Sequence, residues 1–93
     1  MDIERNRVAG KCLRRFRKDA GLTQTELAQR MHKSQSFISK VENAERELSL
    51  VETFFYAEAL DAGYDVLVEE VHRSLGEAGL EQLYIANPEQ ISK

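Results

Sequence analysis

Ninety-three residues, 42% hydrophobic and 31% charged, suit one globular domain with a small core and argue against wholesale disorder. The single cysteine, Cys12, has no partner for an internal disulfide, and no apolar run approaches the roughly 20 residues that span a bilayer. The net charge of −3 hides a split, because residues 1–46 carry 11 Lys and Arg against 6 Asp and Glu, whereas residues 47–93 carry 2 against 10. A basic face suits a polyanion whatever the total charge. The plainer reading of the basic run Arg5, Arg7, Lys11, Arg14, Arg15, Arg17 and Lys18 is a solvated helix face, and charge runs usually mean that. The opening MDIERNRVAGK holds no apolar signal core, so the expected location is cytoplasmic.

In chain order, Val8, Ala9, Cys12, Leu13, Phe16 and Ala20 recur at helical spacing and predict a first helix over about residues 5–20, stopped by Gly21. Thr23 with Glu26 forms a capping box that starts a second helix, with Leu27, Ala28 and Met31 inward. After the turn His32-Lys33, Ser34 caps a third helix. A second capping box, Ser49 with Glu52, starts a fourth helix, LVETFFYAEAL, that ends near Asp61-Ala62-Gly63. Of its aromatic residues, Phe54 is expected in the core, Phe55 is a second candidate, and Tyr56 is expected to be partly exposed. A fifth helix is expected over Asp65–Leu75, and LEQLYIA could add a turn or two before Asn87-Pro88. No strand-like alternation persists and there is no internal repeat, so the fold class is all-α.

The third helix is unusual in its outer face. At 100° per residue, Ile38 and Val41 face the core, while Ser36, Ser39, Lys40 and Asn43 point outward with Gln35 at one border. A free surface helix favours Glu and Lys, because they suit helix and water together. Serine and asparagine cost helix propensity, which makes sense if they meet something other than water. Base edges in a major groove match: glutamine bonds adenine, lysine reaches guanine or phosphate, and serine donates or accepts. Phe37, at the other border, is either partly buried or a thymine-methyl contact, and its position favours burial.

The run LRRFRKDAGLTQTELAQRMHKSQSFISKVENAER, continued by SLVETFFYAEAL, resembles the helix-turn-helix domain of phage Cro and lambda-type repressors, the XRE family, over residues 13–60. The resemblance implies a compact five-helix lambda-repressor-like domain over residues 5–75, with the motif at about 24–43. Residues 76–93 would be a C-terminal extension, either an interface element or disordered. It implies base reading by Gln35, Ser36, Ser39 and Lys40, and phosphate contacts from Gln24, Asn43 and Arg46. It also implies a structural ion pair, Arg17 with Glu42, between helices one and three. The sequence departs from the family at His32 and Ala44, where glycine is usual or frequent. Asn43 is the residue expected to take the left-handed conformation in place of a glycine at 44.

Nothing supports catalysis, so the chain is not expected to be an enzyme. Cys12, His32 and His72 show no ligand spacing, so neither metal nor cofactor is expected, and Glu69 and Glu70 diverge on a helix. The expected partners are double-stranded operator DNA of pseudo-palindromic form and a second copy of the chain, paired through the stripe Tyr64, Leu67, Val68, Val71 and Leu75. A protein partner for the acidic C-terminal half is a further candidate, and no membrane is expected. The leading role is a homodimeric repressor of phage or prophage type. Alternatives are an antitoxin that binds its toxin and regulates its own genes, and a restriction–modification controller.

Overall fold

The computed structural model describes residues 2–82, and among them five helices and no strand. They are α1 (Ile3–Asp19), α2 (Gln24–Met31), α3 (Gln35–Glu42), α4 (Leu50–Ala59) and α5 (Tyr64–Glu77). Side chains start four of them. Asp2, Thr23, Ser34 and Ser49 each accept a hydrogen bond from the backbone N–H three residues on, and both expected capping boxes are closed by Glu26 and Glu52.

All five helices stop in the same way. After α1, Gly21 N–H bonds Lys18 O and Leu22 N–H bonds Arg17 O, the paired Schellman closure around a left-handed residue. The same pair of bonds recurs around His32, Ala44, Asp61 and Gly79. Only two of those five positions are glycine; His32, Ala44 and Asp61 hold φ of 54°, 61° and 56° without that freedom. Two expectations change here. Asn43 stays at φ −91° and Ala44 takes the left-handed turn, because the register of the two closing bonds falls on residue 44. Gly76 lies inside α5, which runs to Glu77 because its closure falls at Gly79.

The core gathers Leu13 of α1, Leu27 and Ala28 of α2, Ile38 and Val41 of α3, Tyr56 and Ala57 of α4 with Leu60 just after it, and Leu67 of α5. Cys12 is buried, as expected, and burial pushes its thiol pKa up. The aromatic assignment on α4 is corrected. Tyr56 is wholly buried, while Phe54 and Phe55 are 45% and 56% exposed. The inward stripe of α4 is Thr53, Tyr56 and Ala57, continued by Leu60 at its C-cap, which leaves Phe54 and Phe55 on its flanks.

One glycine is fixed by packing rather than by its dihedral angles. A Cβ added to Gly10 would lie 2.5 Å from the backbone oxygen of Glu42, so α1 and the end of α3 touch backbone to backbone. The acidic α5 lies along α1, where Arg15 reaches Glu70 at 3.4 Å. Arg5 donates to the carbonyls of Leu80 (2.8 Å) and Gln82, which ties the chain after α5 to the start of α1. Most of the LEQLYIA segment and the rest of the extension lie outside the described residues.

Candidate nucleic-acid interface

Helices α2 and α3 pack on each other, joined by a three-residue connection through His32 and Ser34. Phe37, Ile38, Val41 and Glu42 of α3 are buried; Gln35, Ser36, Lys40 and Asn43 are exposed, and Ser39 is partly so. The acidic residue of this helix is turned inward, with Glu42 only 6% exposed. The outer face therefore carries amides, hydroxyls and one ammonium, with no carboxylate.

The inward carboxylate anchors the helix. Glu42 accepts both arms of the Arg17 guanidinium, from Nε at 2.6 Å and Nη2 at 3.0 Å, in a forked pair whose side chains are 8% and 1% exposed. Arg17 Nη1 also donates to Leu22 O at 2.8 Å. The carboxylate pushes the arginine pKa still higher, so this charge is permanent. The network continues outward. Gln24 Nε2 donates to Glu42 Oε1 at 3.0 Å, and Gln24 Oε1 accepts from Gln35 Nε2 at 2.6 Å. Gln24, first residue of α2, thus turns its amide toward the recognition face, so that a buried ion pair orients an exposed glutamine through one intermediate. Ser39 and Asn43 are neighbours too, with Asn43 Nδ2 to Ser39 Oγ at 3.4 Å.

Phe37 is 9% exposed and has two cations over its ring, Arg46 Cζ at 4.6 Å and Lys33 Nζ at 5.3 Å from the centroid. Burial is the outcome for this residue. Arg46 itself is held by Glu52, Nη1 to Oε1 at 3.0 Å and Nη2 to Oε2 at 2.8 Å, and by Glu47 O at 2.8 Å. The guanidinium holds the Glu52 carboxyl well below the usual range, at about 2, with help from the Ser49 N–H. The basic run on α1 divides as well. Arg5, Arg15 and Arg17 make internal contacts, whereas Arg7, Lys11, Arg14 and Lys18 are exposed.

Sequence reasoning missed Gly10 and the second role of Glu52. A glycine in mid-helix was the available signal for the first. Glu52 was already explained by its capping box, which concealed its partner on the preceding loop. No group of His, Cys, Asp and Glu among the described residues could hold a metal ion. No helix there is long and apolar enough to cross a membrane.

A short first helix of the motif, a tight turn and a second helix with a polar outer face free of carboxylates define a helix-turn-helix domain. The helix-turn-helix family model (HTH_3) matches residues 13–67, more than half of the chain. The chain belongs to the XRE family of helix-turn-helix DNA-binding transcriptional regulators. Its fold is similar to that of an XRE-family like protein from Pseudomonas syringae pv. tomato, with 34% identity, a TM-score of 0.68, and 75% of this chain and 85% of that one covered. It is also similar to the clp gene regulator ClgR from Corynebacterium glutamicum, with 28% identity, a TM-score of 0.74, and 81% and 80% covered. The restriction-modification controller protein C.AhdI from Aeromonas hydrophila is 34% identical, with a TM-score of 0.62 and 66% and 92% covered. A comparison with curated protein sequences gives no match.

Proposed function

We propose that the chain is a homodimeric repressor of phage or prophage type that acts in the cytoplasm by occupying a pseudo-palindromic operator. The observation that carries this reading is the outer face of α3, an exposed set of Gln35, Ser36, Ser39 and Lys40 from which Glu42 has been withdrawn. These side chains read base edges. Gln24, Asn43 and Arg46 fix the register on phosphates, with the N-terminus of α2 adding its backbone N–H groups. Of the stripe expected to pair, Leu67 is instead in the core of the chain itself, with Tyr64 packed against that core. Dimerisation is supported by the apolar side chains left exposed on α4 and α5, Leu50, Val51, Phe54, Val66 and Val68 among them, which a second copy would cover. In that arrangement two recognition helices sit about 34 Å apart, one turn of DNA.

The controller reading is kept as second because of the similarity to C.AhdI, described as a restriction-modification controller protein. The test is binding of the purified protein to DNA from upstream of its own gene, against scrambled DNA, across a salt series. Tighter binding to the upstream fragment, with log affinity falling steeply with log salt, supports the repressor reading. Lys40→Ala should then weaken binding, and a slope lower by about one unit would give Lys40 a phosphate contact besides its base reading. Equal, weak binding to both fragments would count against self-regulation. Transcription from the bound promoter separates repression from activation.

A further inference from the structure

Arg46 is one of the residues proposed above to touch the DNA backbone, yet it already holds a carboxylate. Its guanidinium has five N–H groups arranged as two forks. The end-on fork, Nη1 and Nη2, is filled by the two oxygens of Glu52, and the remaining Nη1 hydrogen is directed to Glu47 O. The side fork, Nε–H with the second Nη2 hydrogen, carries no hydrogen bond among the described residues. The guanidinium also lies over the ring of Phe37, with Cζ 4.6 Å from the centroid. Phe37 belongs to the recognition helix and Glu52 to the first turn of α4, so the arginine is clamped between the two elements that flank the loop.

We propose, resting on the DNA-binding reading above, that Glu52 is a positioning residue for DNA contact. It uses one fork of Arg46 to aim the other at a backbone phosphate. The remaining fork has the spacing that planar, bidentate phosphate recognition uses. A free arginine would lose rotamer freedom on reaching the same phosphate; this one has lost it on folding. The carboxylate brings negative charge close to DNA, and its contribution is geometric.

This makes an unusual sign expectation. Removing a carboxylate beside a phosphate contact ordinarily strengthens DNA binding, because one repulsion is lost. Here Glu52→Gln should weaken it by about 2- to 10-fold, the loss expected from freeing one long side chain. Glutamine also closes a capping box, so α4 keeps its start. The probe is a mixed-sequence DNA duplex at low salt, since phosphate contacts dominate non-specific binding. Glu52→Gln is compared with wild type, and again in an Arg46→Ala background, where the change should have no weakening effect. Arg46→Lys, which keeps Glu52 and the charge but has no second fork, should weaken binding to a similar degree. Unchanged or tighter binding by Glu52→Gln overturns the proposal, as does equal weakening with and without Arg46. An NMR readout covers altered folding: the Arg46 Nη–H signals, held by Glu52 and the Glu47 carbonyl, should be separately resolved in wild type and averaged in Glu52→Gln. An averaged signal in wild type also overturns it. If the wild-type protein binds no duplex at all, the DNA-binding reading falls, an outcome distinct from wild type binding normally and Glu52→Gln binding as well as it does.

Discussion

Replacing Glu42 by alanine should cost this protein a large share of its stability, although the residue lies in the recognition helix. The carboxylate has a side-chain exposure of 1% and takes hydrogen bonds from Arg17 at 2.6 and 3.0 Å and from Gln24 at 3.0 Å. Its removal leaves the Arg17 charge buried with Leu22 O as its one remaining partner. Breaking such a pair from one side costs about 3–5 kcal/mol, mostly the penalty for the charge left behind. A 93-residue domain has about 5–14 kcal/mol in total, so the loss ranges from about a fifth of it to all of it. Urea unfolding followed by circular dichroism measures it. Arg17→Met with Glu42→Leu, which removes both charges at similar volume, should recover most of the loss. The double-mutant cycle should then show coupling of about 2 kcal/mol or more. A Glu42→Ala loss under about 1 kcal/mol, or additive single losses, would refute the reasoning.

Three further substitutions test separate parts of the fold. Gly10→Ala should destabilise by about 1–3 kcal/mol, despite the gain in helix propensity of about 1 kcal/mol, because its methyl group meets the Glu42 carbonyl at 2.5 Å; a thermal melt that rises would contradict the close approach. Ala44→Gly should stabilise by about 0.5–1 kcal/mol, since alanine pays for φ of 61° and glycine does not, and an unfolding midpoint that does not increase would show the strain is absent. The Glu52 carboxyl should titrate near 2 by NMR, against an ordinary value of 4.5. Because the folded value is depressed, the stability it supplies is present above 4.5 and lost as the pH falls toward 2. In Arg46→Ala the titration should move back toward the ordinary range, and an unmoved midpoint would mean that Arg46 is not the cause.

The parts of the structure that were legible in the sequence are those written within one helical turn. Thr23 with Glu26 and Ser49 with Glu52 satisfy N–H groups three residues apart, so the start of each helix can be read locally. The outward set on α3 was legible for the same reason, since rotation along a helix needs no knowledge of its neighbours. The aromatic triplet on α4 was not. Phe54, Phe55 and Tyr56 are all large enough for a core, and the choice of Tyr56 depends on where α2 and α5 pack. Buried tyrosine is also the less obvious choice, because its hydroxyl finds no hydrogen-bond partner among the described residues. The stops at His32-Lys33 and near Asp61 were read, but the left-handed residue itself was hidden at Ala44 and Asp61, where the paired closing bonds rather than a glycine hold the conformation. The basic run on α1 looked uniform in sequence, yet Arg5, Arg15 and Arg17 point to three different tertiary partners. The family resemblance supplied the Arg17–Glu42 pair, which the structure contains, and the base-reading roles, which are a matter for binding experiments.

The most direct of those experiments is to select binding sites from a randomised duplex pool with the wild-type protein and with Gln35→Ala, and to compare the two preference profiles. If α3 reads bases through its outer face, the wild type yields a two-fold symmetric site. Gln35→Ala then loses about 1–3 kcal/mol of discrimination at one position in each half-site and keeps the others. A wild-type profile with no preferred sequence, or a Gln35→Ala profile identical to it, would contradict base reading by this helix.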